Sequence, residues 1–184
     1  MSREQRIPIV NDSEASQAQL DLLEPLRRAD GTVLNIFRTL ANHPDLARRW
    51  LVFGNHVLAK STLSPRVREL VILRTGWRCN SEYEWGQHVL IAQGLGIDDD
   101  EIARLMLDEV GDGWVESEAC AIRATDELHA AQEISSDTWN TLSRHYDREQ
   151  MMDLVFAVGQ YTLVSMALNS FGVQRDSGVA GFES

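Results

Sequence analysis

A chain of 184 residues, 43% hydrophobic and 24% charged, is long enough for one domain with a real core and has an ordinary globular composition. Lys and Arg number 17 against 28 Asp and Glu, and the net charge of −11 repels phosphate backbones and anionic membranes, so neither nucleic acid nor a membrane is expected as a partner. Cys79 and Cys120 are too few for a disulfide framework, and with no apolar leader at the start a cytoplasmic location is expected.

Residues 1–16 are polar, with Pro8 inside Arg-Ile-Pro-Ile-Val, and read as an extended arm that either packs on a neighbouring subunit or hangs loosely. From Ala18 the spacing of Leu22, Leu23 and Leu26 predicts a helix crossed by Pro25. A second short helix is expected over Thr32 to Ala41, and Pro44 opens a third through Leu46, Trp50, Phe53 and Val57. Ser64-Pro65 is a start signal, a capping serine with proline at the first helical position. The helix that follows carries Val67, Leu70, Val71, Ile72 and Leu73, apolar nearly all round, which marks a buried central element. Glu69 is the anomaly within it. It is either ion-paired, to Arg66, Arg74 or a more distant arginine, or functional.

The next helix begins at Ser81, and Ser-Glu-Tyr-Glu reads as a capping box in which Glu84 reaches back to the Ser81 amide. Glu84 and His88 stand four apart, one above the other, and Ile91, Ala92 and Leu95 fall on the same side. A carboxylate and an imidazole therefore lie within an apolar stripe. Unpaired buried charge is costly, so Glu69, Glu84 and His88 are expected to converge between the two helices. Capping and catalysis are compatible roles for Glu84, since a carboxylate has two oxygens. Cys79 lies in the turn before this helix, where amide dipoles would favour a thiolate; the competing reading is an inert buried cysteine. Tyr83 either packs or lines a pocket. A glutamate facing Glu-x-x-x-His could also hold a metal, but one histidine and two carboxylates is a thin ligand set, and neither metal nor cofactor is expected.

Gly94 and Gly96 end that helix, and Asp98 with Glu101 caps another. Gly111-Asp112-Gly113 is the clearest loop. Glu116 to Gln132 reads as helical, with Asp126 and His129 as a candidate polar pair, and Trp139, Leu142 and Tyr146 mark the next helix. Asp147 with Gln150 caps a long apolar helix, Met151 to Phe171, stopped by Gly172. Its length suits a membrane span, but Gln160, Thr162, Ser165 and Asn169 interrupt it, which favours a core helix. The organisation is thus an arm over 1–16, an all-α domain over 17–174 and a loose tail over 175–184.

The runs Arg-Glu-Leu-Val-Ile-Leu-Arg, Cys-Asn-Ser-Glu-Tyr-Glu-Trp-Gly-Gln-His and Ala-Gln-Gly-Leu-Gly-Ile resemble the carboxymuconolactone decarboxylase family, whose superfamily includes alkyl hydroperoxidase D. The resemblance implies an all-α, alkyl hydroperoxidase D-like helical bundle assembled as a homo-oligomer, a trimer or hexamer. The hydroperoxidase branch has a Glu, then Cys-x-x-Cys, then His. Aligned on His88, its Glu falls at Glu69, but its two cysteines fall at Ser81 and Glu84, so the redox pair is missing. The decarboxylase branch has a Glu four before the His, which Glu84 matches. The implied activity is cofactor-independent proton transfer or decarboxylation on a small organic acid or lactone. In that reading His88 moves the proton, Glu84 orients it and Glu69 is a second acid/base. The alternatives are a peroxidase using Cys79 and a non-enzymatic oligomer that binds a ligand.

Overall fold

The computed structural model describes residues 3–182 and, among them, shows helices and no strand, in keeping with the all-α expectation. The helices are α1 (Gln17–Leu23), α2 (Asn35–Leu40), α3 (Pro44–Ala59), α4 (Pro65–Arg78), α5 (Glu82–Gly94), α6 (Asp99–Arg104), α7 (Glu116–Ala131), α8 (Ser136–Leu142) and α9 (Arg148–Phe171). Pro25 does not cross α1; it opens a 3₁₀ turn, Glu24–Leu26, at the end of the helix. The start of α2 is delayed because Asp30 Oδ1 accepts from both the amide and the hydroxyl of Thr32, holding that stretch in a turn. Tyr146 falls beyond α8 and donates its hydroxyl to Ser117 O on α7.

α4 is the hub, packed against α5, α7 and α9. Ser64 Oγ accepts from the Val67 amide and Pro65 takes the first helical position, so the start is set as expected. From Glu69 to Gly76 every residue is buried. One side of α4 joins Val71 and Ile72 to Ala121, Ala124, Leu154 and Val158 of α7 and α9. The other joins Leu70 and Leu73 to Trp85 and Ala92 of α5 and to Ile97, Ile102 and Leu105. Arg74 is fully buried and fully used: its guanidinium donates to the carbonyls of Leu105 and Leu107, both at 2.6 Å, and to Asp126 at 2.7 Å. α9 has the length and apolarity of a membrane span, yet half of its apolar window is buried within the fold, as a core helix.

Both chain ends are held against the helices. The arm is not loose but tied to its own chain: the amides of Arg6 and Ile7 donate to Phe171 O, and that of Val10 donates to Arg38 O. The tail is docked as far as Phe182, whose ring packs edge-on against Trp77 and Trp85. Asp176 fastens it, accepting from Tyr83 Oη at 2.5 Å, Gln87 Nε2 at 2.8 Å and the Asn35 amide at 2.9 Å. Composition hid both contacts because they are made largely through backbone groups and single polar anchors.

The tail crosses α5 at Gly86, where an added Cβ would lie 2.2 Å from Ala180 O. Backbone cannot yield as a flexible side chain can. Gly86→Ala is therefore expected to lift the tail from α5 and lower stability by about 1–3 kcal/mol. Limited proteolysis should then cut the C-terminal segment of the variant while sparing the wild type. Equal resistance of the two would contradict this docking.

Candidate active site

The capping of α4 and the four-residue spacing on α5 bring the three predicted groups together. His88 Nδ1 lies 2.6 Å from Glu69 Oε2, and His88 Nε2 lies 2.9 Å from Glu84 Oε1. The other oxygen of Glu69, Oε1, accepts from Arg68 Nε at 3.2 Å. Glu69, Glu84 and His88 are all buried. The result is a row, Arg68–Glu69–His88–Glu84, with alternating charge and no net charge when every member is ionised. Burial alone would push the imidazole down, but hydrogen bonds to Glu69 and Glu84 outweigh it and raise His88 to about 9. At neutral pH both ring nitrogens therefore carry protons and both donate. The ring of Tyr161 stands edge-on to the imidazole at 4.9 Å. Burial, then the charges of Glu84 and Glu69, raise its phenol far above the ordinary value and keep it neutral.

The capping box expected at Ser81 is not formed. Ser81 makes no side-chain cap and its Oγ is buried without a partner. Glu84 is drawn to the imidazolium instead, a charge-assisted contact stronger than one to a neutral amide.

Glu84 and His88 open onto a cavity of about 540 Å³ between α2, α3, α5 and α9. Phe37, Trp50, Leu51, Leu58 and Val164 make most of its wall apolar, while Arg28, Asn55, Gln87 and Gln160 supply polar points. Glu69 does not line it. It sits behind the imidazole and holds it, so the structure places Glu69 as a support rather than as a second group facing a ligand. Tyr83 does line the cavity, but its hydroxyl is already engaged, donating to Asp176 and accepting from the Ile36 amide.

Cys79 stands apart from the cavity wall. It caps the C-terminal, carbonyl end of α4, and burial raises its thiol rather than lowering it. Its Sγ lies 3.7 Å from His129 Nδ1. The candidate pair Asp126 and His129 is divided: Asp126 is clamped between Arg74 and Arg78, and His129 faces the thiol. With both nitrogens of His88 bound to carboxylates, the row has no free imidazole for a metal. Among the described residues no other His, Cys, Asp or Glu group is arranged to hold one. Reasoning from the sequence passed over Arg68 and Tyr161. Arg68 had a signal, as the neighbour of Glu69; Tyr161 had one in the α9 core register of Leu154, Ala157 and Val158.

Residues 44–127, which contain the whole charged row, match the model of the Carboxymuconolactone decarboxylase family. The fold is similar to that of an uncharacterized peroxidase-related protein from Ralstonia eutropha JMP134 with an alkylhydroperoxidase AhpD core (16% identity, 94% of this chain and 92% of that one, TM-score 0.82). It is also similar to an uncharacterized peroxidase-related protein from Silicibacter sp. TM1040 (14%, 96% and 96%, 0.79). A third similar structure is a variant of the debrominase Bmp8 in complex with 2,3,4-tribromopyrrole (14%, 96% and 95%, 0.75). At such identities the likeness is one of fold. No curated protein sequence matches the chain.

The geometry sets a pH dependence of stability. His88 is raised from 6.5 to about 9 in the folded chain, so its contribution is fully present below about pH 6.5 and is lost as pH rises through about 9. Urea midpoints followed across that window should fall for the wild type. The fall should be much shallower for His88→Gln, and parallel curves would contradict a charged imidazole in the folded state.

Proposed function

We propose that this chain, a carboxymuconolactone decarboxylase family member over residues 44–127, is a cofactor-independent enzyme that transfers a proton on a small organic acid or lactone. The observation that carries the reading is Glu84: a carboxylate on the wall of an apolar cavity, backed by a protonated imidazole. Loss of CO₂ next to a carbonyl moves the bonding pair into an enolate, which must then take up a proton at carbon. In this site the proton passes from His88 Nε2 to Glu84 and from Glu84 to that carbon. Water entering the cavity restores it. Glu69 and Arg68 keep the imidazole oriented, and Glu69 favours its return to the charged form when water restores the proton. Arg28, at the exposed rim, offers a cation to a substrate carboxylate in an otherwise acidic chain.

A thiol peroxidase is the competing chemistry, favoured by the peroxidase-related neighbours in fold. It requires an accessible thiolate, whereas Cys79 is raised by burial and lies outside the cavity. The two readings predict opposite mutational patterns. With carboxylated lactones as substrates, CO₂ release and solvent deuterium incorporation should fall by about two to four powers of ten in Glu84→Gln and in His88→Gln. Cys79→Ser should be nearly silent, and Arg28→Ala should raise KM with little change in kcat. Abolition of an established activity by Cys79→Ser, with His88→Gln spared, would replace proton transfer by thiol chemistry. Insensitivity to all four would leave a ligand-binding protein.

We also propose that the chain self-associates, as a trimer or hexamer. Met152, Phe156, Leu163 and Met166 are each more than half exposed and fall within an arc of about 80° on α9. Phe53 of α3 extends the patch through an edge contact with Phe156 at 6.0 Å. Such an apolar strip on an acidic monomer calls for cover. Light scattering at micromolar concentration should give a multiple of the 20.7 kDa chain mass, and Phe156→Glu should shift it towards the monomer. A monomeric wild type would refute the assembly.

A further inference from the structure

Two tyrosines line the cavity beside the charged row, Tyr83 and Tyr161, and they differ in what their hydroxyls do. That of Tyr83 is engaged within the fold, donating to Asp176 and accepting from the Ile36 amide. Tyr161 is 6% exposed, and no hydrogen bond among the described residues engages its Oη. That oxygen is not sealed, unlike Oε1 of the preceding Gln160, and its open side belongs to the cavity that Tyr161 lines. Packing fixes the ring: it is part of the core between α4, α7 and α9 and stands edge-on to His88 at 4.9 Å. The phenol is near enough to Glu84 and Glu69 to feel both charges, which with burial keep its proton in place. Packing alone asks only for a phenyl ring. The hydroxyl adds a fixed, neutral donor. An arginine or lysine at this point would pair with Glu84 and be lost to a ligand; a neutral hydroxyl stays free.

We propose that Tyr161 is a further catalytic residue, whose hydroxyl donates to a carbonyl oxygen of the substrate and stabilises the negative charge that gathers there as CO₂ leaves. The inference deepens the proton-transfer reading and rests on it for the reaction; the hydrogen bond itself is a matter of binding. The steps balance. The carbon–carbon bond to the carboxylate breaks, CO₂ departs, and the bonding pair forms the enolate with its charge on oxygen. Tyr161 keeps its own proton and holds that oxygen by the hydrogen bond. Glu84, resupplied from His88, then gives a proton to carbon and the carbonyl re-forms. A donor fixed in a place from which the ligand expels water acts on the developing charge more strongly than water would. A ligand that displaces water from the hydroxyl must itself offer an acceptor. The class is therefore a compact ring bearing a carbonyl, with Phe37, Trp50 and Val164 against the ring.

The probes are acetophenone and α-methylstyrene, which share a skeleton but exchange C=O for C=CH₂. In calorimetric titration of the full chain, Tyr161→Phe should weaken acetophenone about tenfold, the equivalent of one buried hydrogen bond, and leave α-methylstyrene unchanged. The infrared carbonyl stretch of bound acetophenone should lie at lower frequency in the wild type than in Tyr161→Phe. The variant keeps the ring and loses one oxygen, so it should fold, which circular dichroism and melting check. With carboxylated lactones, Tyr161→Phe should lower kcat by about two to three powers of ten, more than it raises KM. No binding of acetophenone at millimolar concentration, equal effects of the substitution on the two probes, an unmoved carbonyl stretch, or an undiminished kcat would each overturn the proposal. Failure of the proton-transfer reading shows instead as undiminished turnover in Glu84→Gln, a result that neither probe senses.

Discussion

An ion placed inside a protein must be answered by other charges, and α4 places two side chains of opposite sign inside this one. Glu69 and Arg74 are both fully buried on the same helix. Taking one partner from a buried pair costs about 3–5 kcal/mol, because the other is left uncompensated. Each therefore dictates the position of its surroundings. Glu69 fixes the rotation of α5 through His88, and Arg74 ties α7, through Asp126, to the carbonyls of Leu105 and Leu107. The apolar packing of α4 supplies most of the burial energy. The charges supply the register, since a hydrocarbon contact tolerates a small slide and a 2.6 Å hydrogen bond does not.

The same constraint shapes the chemistry. At the position where the family resemblance would put a second cysteine, this chain has Glu84, and where it would put the first it has Ser81, with a hydroxyl that finds no partner. A thiol there would exchange electrons. A carboxylate next to an imidazolium exchanges protons, and the apolar wall around it strengthens every such interaction by excluding water. The remaining cysteine close to this region, Cys79, is held at the wrong end of α4 for a thiolate. The carbonyl end of a helix disfavours negative charge and burial adds to the effect.

What was legible in the sequence follows from what is local. Caps at Ser64, Asp98 and Asp147 are three-residue signals, and all three form as read. Glu84 and His88 share a face by helical period alone, and the need to compensate Glu69 was enough to bring α4 and α5 together. The same logic failed at Ser81. The local box was sound chemistry, but a long-range imidazolium outbid the amide for Glu84. Asp126 likewise read as half of a pair with His129 because its true partners, Arg74 and Arg78, lie 52 and 48 residues away. Arg28 was out of reach for a related reason: a sequence shows that an arginine is present, not which cavity it meets. The docking of arm and tail was hidden by its dependence on Phe171 O, the Asn35 amide and the bare backbone of Gly86.

α9 shows how the fold joins these threads. One side carries Leu154, Ala157, Val158 and Tyr161 into the core, and Tyr161 places its ring edge on His88. Gln160 and Val164, beside Tyr161 on that helix, reach the cavity wall, while Met152, Phe156, Leu163 and Met166 face outward. A helix with apolar groups on nearly every side has no polar face to hold its rotation. Its rotation must be set by particular contacts: the Asp147 cap at one end, Gly172 against the arm at the other, and the imidazole in the middle. The wall that would select a ligand and the row that would move a proton are therefore aligned by the same helix. Gln160 is the polar exception on the buried side of that helix, and its amide is held there by close packing against Gly54 of α3.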